Sequence, residues 1–342
     1  MFFYAQKHTG KEGSSIRRTI FRLCRRLAVF LFALLALSAF TFFLSRLAPG
    51  DPLKSFYGES VERMSLSEQV AARTRLGLDA PLPVQYGRWL SAALHGEFGI
   101  SLKYKQPAAP VIAGFLPNTL LLGGLSYLLT FALAVPLGVF CCLREDSLAD
   151  RIICKVGTIT GCIPSFWIAL VLILIFSVNL RLLPSSGAYA MGQPDDLFSR
   201  LRHLVLPLVV MVLGHLWYYA YLVRNKLLDE ARKSYVLLCK ARGLTNRRIV
   251  WAHCLRGILP SLFSIMAVSV PHILGGTYVV EKVFSYPGLG TLCFESAKYH
   301  DYNLLMLLSL MTGAVVIASG MLAQALSERI DARMVREGDA DA

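Results

Sequence analysis

The sequence predicts an all-α, polytopic membrane protein with six transmembrane helices and both termini in the cytoplasm. Three observations carry that reading. The chain has 342 residues, is 55% hydrophobic and has a mean hydropathy of +0.53, more apolar than a soluble domain of this size requires. Six uncharged runs stand at 27–44, 114–143, 156–180, 203–223, 257–280 and 302–327. Each reaches the roughly 18 residues that cross about 30 Å of hydrocarbon as a helix. Lysine and arginine then gather on one side of them: segments 1–26, 144–155, 224–256 and 328–342 hold 7, 3, 9 and 3, which is 22 of the 35 in the chain. By the positive-inside rule these segments are cytoplasmic. That bias accounts for the formal charge of +13 without a nucleic-acid partner.

The elements follow in order. Segment 1–26 is a basic cytoplasmic lead, and 27–327 holds the six spans. The first run exceeds a typical secretory apolar core and no A-x-A-like site follows it, so it is expected to remain as a helix. Lipid offers the backbone no hydrogen-bond partners, so the spans are helices. None shows the alternation of a β-barrel strand. An external loop at 45–113 is long for a connector, which points to docking or gating. Within it, 66–76 has helical character and 84–94 reads as an amphipathic helix beginning after Pro83. The turns around LPSSG and YPGLG are rich in glycine and proline. Segment 328–342 is a cytoplasmic tail.

Of eight cysteines, Cys24, Cys141, Cys142, Cys154, Cys239 and Cys254 fall toward the cytoplasmic side and Cys162 within a span. Cys293 alone is external, which excludes an external disulfide within the chain. No C-x-x-C pair indicates a metal or redox site, and the cysteines read as small apolar fillers.

The cytoplasmic loop 224–256 is the most informative segment. Apolar residues at Leu227, Leu228, Ala231, Tyr235, Leu238 and Cys239 share one face of a helix expected over 226–242. Gly243 suits the left-handed position after its end, and Leu244 can pack back on Leu238 or Cys239, completing a Schellman ending. Thr245 is a natural N-cap for a second helix, with Leu244 and Ile249 as a hydrophobic staple. Arg247, Arg248 and Arg256 decorate that second helix ahead of Pro260. Such a basic hairpin could rest on anionic membrane lipid, but its apolar stripe also needs burial, against lipid or a partner protein.

The same residues carry a family resemblance. YVLLCKARGL followed by HCLRGILP resembles the cytoplasmic coupling motif of binding-protein-dependent ABC transporter permeases, in the branch importing dipeptides, oligopeptides and nickel. SRLAPGDP, LGLDAPLPVQYGRWL, GEFGIS, PSFWIALVLILIFSV, LPSSG and EKVFSYPGLGTL resemble other parts of that family, in order over about residues 20–330. The chain departs at Cys239, where the family commonly has alanine, and at Leu237, where arginine is common; the second change alters the charge of the contact. The resemblance implies a bacterial inner-membrane subunit that forms half of a translocation pathway. It implies as partners a second homologous permease, two ATP-binding cassette ATPases and an extracytoplasmic solute-binding protein. Tyr235, Val236, Lys240, Ala241, Arg242, Gly243 and Leu244 are then the expected contact with an ATPase, which moves the spans between inward- and outward-facing states.

ATP is expected on the partner subunits alone. The chain has no G-x-x-x-x-G-K-[ST], and Gly10-Lys11 is followed by glutamate. No cofactor and no catalytic residue is assigned to it. Polar residues inside the spans mark the candidate pathway: His215, Pro271, His272, Gly275 and Gly276. Histidine is a competent nickel ligand, so His215 and His272 are the candidate metal residues. The competing reading has each bonding to a neighbouring helix, with His215 beside Trp217, Tyr218 and Tyr219. Pro271 can kink its helix and free a carbonyl, and Gly275-Gly276 permits close helix packing. VQYGRWLSAALHGEFGIS and SVPHILGGTYVVEK resemble the nickel and metal-chelate permeases more than the peptide ones. The expected cargo is therefore nickel or a nickel chelate, with dipeptides or oligopeptides as the alternative. A stand-alone channel or secondary carrier is the distant rival, since neither inverted repeats nor intramembrane acids are evident.

Overall fold

The computed structural model describes residues 6–47 and 52–330, and among them every long element is helical. Positions 48–51 of the SRLAPGDP stretch, the first five residues, and 331–342 of the expected tail lie outside the described residues. Helix α1 (Gln6–Leu47) carries the first apolar span, Cys24–Leu47, and packs on the last helix. Only 11% of its most apolar stretch is buried. Its exposed Phe32, Leu35, Phe40 and Leu44 therefore need lipid around them.

The loop expected to be external folds as α2 (Pro52–Tyr57), a 3₁₀ segment (Gly58–Arg63), α3 (Leu66–Arg75) and α4 (Leu82–Leu94). Ser65 and Glu68 form a reciprocal capping box at the start of α3. Helix α4 begins two residues before the expected 84, because proline fits the first turn, where its missing N–H would be unpaired anyway. Leu53, Val61 and Ala72 form a small core, and Tyr86 joins α4 to α1 through its hydroxyl, 2.7 Å from Ser38 Oγ. The GEFGIS stretch folds over onto the end of the bundle: Asn303 Nδ2 donates to Ile100 O at 2.9 Å, and the buried Asp301 accepts from Lys103 N at 3.1 Å and from Ser101 Oγ.

The transmembrane core is α5 (Ala108–Leu143), α8 (Leu197–Ala231), α11 (Leu255–Val283) and α13 (Tyr302–Ile330). Helix α5 lies along α8, where Gly138 leaves room for Val223. Small residues at helix crossings bring backbones close enough for dispersion to hold them in lipid.

One expected span is broken. The run 156–180 belongs to α6 (Leu148–Cys162) and α7 (Ser165–Leu172), the latter continuing as π-helix over Ile173–Asn179, with a bend of 97° between them. Ile163, which precedes Pro164, is extended at φ −83°, ψ 125°. A residue before proline is pushed out of the α region, and proline has no N–H to continue the ladder. Among the described residues there are five long apolar helices, or up to six spans when the bent pair counts as one.

The basic loop also differs in detail. The helix expected over 226–242 is cut at Arg232 and Lys233 into the end of α8 and a separate α9 (Ser234–Ala241). The second helix of the hairpin is not separate from the fifth span. Short α10 (Asn246–Arg248) and a π-helical stretch (Ile249–Cys254) run directly into α11 as one 38-residue length, Asn246–Val283.

Candidate coupling surface and membrane pathway

The turn after α9 forms as its residue types dictate. Gly243 adopts φ +78°, Gly243 N donates to Lys240 O at 2.9 Å, and Leu244 N donates to Cys239 O at 3.2 Å. These are the two bonds of a Schellman ending. Thr245 Oγ1 then accepts from Arg248 N at 3.4 Å as N-cap. Leu244 and Cys239 pack against the same core as the buried Ile249.

The expected contact residues separate by burial. Lys240, Ala241, Arg242 and Gly243 are exposed, Tyr235 and Leu244 are half-buried, and Val236 is 3% exposed and faces the bundle. Val236 therefore anchors α9 from inside and is not free to touch a partner. The exposed apolar residues are Leu237 at 69% and Leu238 at 56%. Leu238 thus lies on the outer face, against the expectation of a single buried stripe. Tyr235 points inward: its hydroxyl donates to Glu230 Oε1 at 3.0 Å and lies 3.8 Å from Cys254 Sγ. Burial pushes its phenol upward, and the bonds to Cys254 and Glu230 push it the same way, so it stays a protonated donor. Glu230 was not singled out by the sequence reading. The available signal was its place three residues after Leu227 and beside Ala231, an acid on the apolar stripe.

The intramembrane candidates converge. His215, Pro271, His272, Gly275 and Gly276 line one cavity of about 690 Å³ between α8 and α11, together with Thr160, Gly161 and Ser165 from the bent pair. These three residues flank the bend. His215 Nδ1 pairs with Met211 O at 2.8 Å on its own helix, and its ring stacks on Tyr219 at 6.5 Å. Its Cε1 lies 3.1 Å from the place a Cβ would occupy on Gly276, so that glycine is a close-approach point. His272 is exposed to the cavity side. Among the described residues no three histidine, cysteine or carboxylate side chains gather as a metal site.

The C-terminal end of α11 holds a feature not anticipated. Glu281 is fully buried and accepts from Thr119 Oγ1 of α5 at 2.8 Å and from Thr291 N of α12 (Leu289–Lys298) at 3.0 Å. Thr119 Oγ1 in turn accepts from Leu289 N at 2.7 Å. Gly288 and Gly290 lie against the Glu281 carboxyl group with no space for a side chain.

A helical bundle with this many long apolar elements is that of a multi-pass membrane protein. Residues 134–336 match the family described as binding-protein-dependent transport system inner membrane component, and residues 19–123 match its N-terminal domain family. The chain belongs to that family, and it is an inner-membrane ABC-permease subunit and not a catalytic enzyme. It is 31% identical over 313 residues to the oligopeptide transport system permease protein AppB of Bacillus subtilis, covering 91% of this chain and 98% of that one. A putative peptide permease of Brucella ovis is 32% identical over 92% of this chain and 98% of its own. The nickel import system permease protein NikB of Staphylococcus aureus is 28% identical, over 92% and 91%. Among solved structures, an inward-facing form of the MetNI methionine ABC transporter shares the fold at TM-score 0.50 and 18% identity, over 63% of this chain and 96% of that chain.

Proposed function

We propose that this chain forms half of the translocation pathway of an importer for short peptides. It pairs with a second permease, takes cargo from an extracytoplasmic binding protein, and is driven by two cytoplasmic ATPases that bind ATP. Both termini and α9 face the cytoplasm, as the lysine and arginine bias requires. The observation that carries the reading is the convergence of all five pathway candidates on one cavity of about 690 Å³. That volume lies in the roughly 300–1,000 Å³ range of sites for organic ligands. A bare ion needs no such space. Of the relatives above, two are named for peptides and one for nickel.

A nickel chelate is the second reading, favoured by His215 and His272 on the same cavity wall. In either case ATP-driven closure of the ATPases is passed through α9 to the spans, and the two permeases alternate access to the cavity. The deciding experiment measures uptake of a radiolabelled dipeptide and of radioactive nickel in cells lacking and then regaining this gene. Restored dipeptide uptake that nickel does not compete supports the peptide reading. Restored nickel uptake that dipeptides do not compete overturns it and makes both histidines the first residues to mutate.

A further inference from the structure

We propose that Glu230 is the positioning residue that ties the coupling helix α9 to α11, so that movement of α9 reaches the cavity wall. The inference rests on the reading of α9 as the ATPase-docking helix and adds the joint through which that helix acts. Helix α9 is only 8 residues long and is joined to α8 by Arg232 and Lys233 alone. A peptide link of that length does not fix the angle of a short helix. Val236 packs α9 against the bundle, but apolar contact has no preferred direction, so the angle needs a polar tie.

Glu230 supplies the fixed point. It is 8% exposed, and its carboxyl group meets three elements at once. Oε1 accepts from the Tyr235 hydroxyl on α9 at 3.0 Å. Oε2 pairs with Lys233 Nζ at 2.7 Å, at the junction itself. Across the joint, Oε1 sits 2.5 Å from where a Cβ would stand on Gly257, in the first turn of α11. Only glycine lets the carboxyl group approach that backbone. The Cys254 thiol, 3.8 Å from the Tyr235 hydroxyl, closes the contact at the end of the π-helical stretch. π-Helical turns often mark functional sites, where a wider ladder admits adjustment. An acid held from water costs free energy unless its bonds are made, so the joint has one strongly preferred geometry. From Gly257, α11 runs as continuous helix to His272 and Gly276, roughly 22–28 Å away at 1.5 Å per residue.

The test uses the whole transporter, this chain with its partner permease, ATPases and binding protein, in membrane vesicles. Dipeptide or nickel uptake, whichever probe the native complex carries, and ATP hydrolysis are measured separately, with assembled complex quantified by pull-down. E230Q keeps the side-chain volume and removes the charge. We expect uptake per ATP hydrolysed to fall about tenfold, within the 5–150-fold span of typical coupling free energies, while hydrolysis per assembled complex stays within about twofold. Y235F should lower uptake as well, and E230Q/Y235F should lose no more than the worse single variant, because the two act as one unit.

Uptake per ATP at the native level in E230Q overturns the inference while leaving the proposed function intact. So does a parallel fall of uptake and hydrolysis that follows the amount of complex, which is a folding role only. Multiplicative losses in the double variant also overturn it. Native vesicles that take up neither probe on ATP addition sink the proposed function itself, a separate outcome.

Discussion

Glycine 288 to alanine is the sharpest test of the packing around Glu281. At Gly288 the backbone is extended, φ −123° and ψ 175°, so alanine suffers no dihedral penalty and any cost is steric. An added Cβ would fall inside the Glu281 carboxyl group. Overpacking of this kind costs about 1–3 kcal/mol. Glu281→Ala strips the acceptor from two donors, Thr119 Oγ1–H and Thr291 N–H, at about 1–3 kcal/mol for each donor left unpaired. The two substitutions address the same space. Once the carboxyl group is gone, the alanine methyl has room, so the double variant should lie within about 0.5 kcal/mol of Glu281→Ala alone. The assay is thermal unfolding of the detergent-solubilised protein, followed by the monodisperse fraction remaining. Gly288→Ala should lower the midpoint by a few degrees, since 1 kcal/mol moves a domain of 150–250 residues by roughly 2–4 °C and a longer chain by less. Additive losses would refute the reasoning, because they would mean that the methyl and the carboxyl group never compete.

Two further outcomes follow from the buried joints. Asp150 is 1% exposed and holds Arg224 through two bonds, at 2.8 and 2.5 Å, linking α6 to α8. Asp150→Ala leaves that guanidinium without its carboxylate, with Asn225 Oδ1 still accepting from it at 3.3 Å, at a cost of up to about 3–5 kcal/mol, and Asp150→Ala/Arg224→Leu should recover much of the loss in the same thermal assay. Gly276→Val adds bulk where His215 is already within 3.1 Å of the first added carbon, so uptake of either probe should fall at least about tenfold with complex assembly unchanged.

What the sequence made legible is what local chemistry decides. Gly243, Leu244 and Thr245 specify a Schellman turn and an N-cap through contacts within six residues, and each bond is present in the structure. Apolar runs of sufficient length likewise mark their spans without reference to neighbours. The break at Ile163-Pro164 lies inside an uncharged run whose hydropathy is the same bent or straight, and only the proline hinted at it. The division of 226–242 at Arg232 has no breaker residue at all. It is imposed by tertiary contacts: Val236 buries against the core while Leu237 and Leu238 stay outside, which a helix continuing straight from α8 would not achieve. The carboxyl groups of Glu230 and Glu281 were invisible for a related reason. Each gains meaning from a glycine distant in sequence or across a turn, Gly257 or Gly288, whose missing side chain reads in isolation as mere flexibility.

On the coupling proposed above for α9, these two acids account for how α11 would carry its movement. Asn246–Val283 spans 38 residues, about 57 Å of helix against about 30 Å of hydrocarbon, so its basic end stands clear of the lipid core. A helix held only by apolar contacts in lipid would slide, because lipid tails solvate its side chains as well as neighbouring helices do. Directional bonds at both ends prevent that. Near its basic end, the Tyr235 hydroxyl of α9 reaches Cys254 Sγ at 3.8 Å and Glu230 Oε1 at 3.0 Å, and the Glu230 carboxyl group lies against Gly257. At the far end, Glu281 fixes α5 and the start of α12. The cavity residues Pro271, His272, Gly275 and Gly276 lie between the two joints. On that proposal, a displacement of α9 is resisted at both joints and is expressed between them, where the cavity wall is.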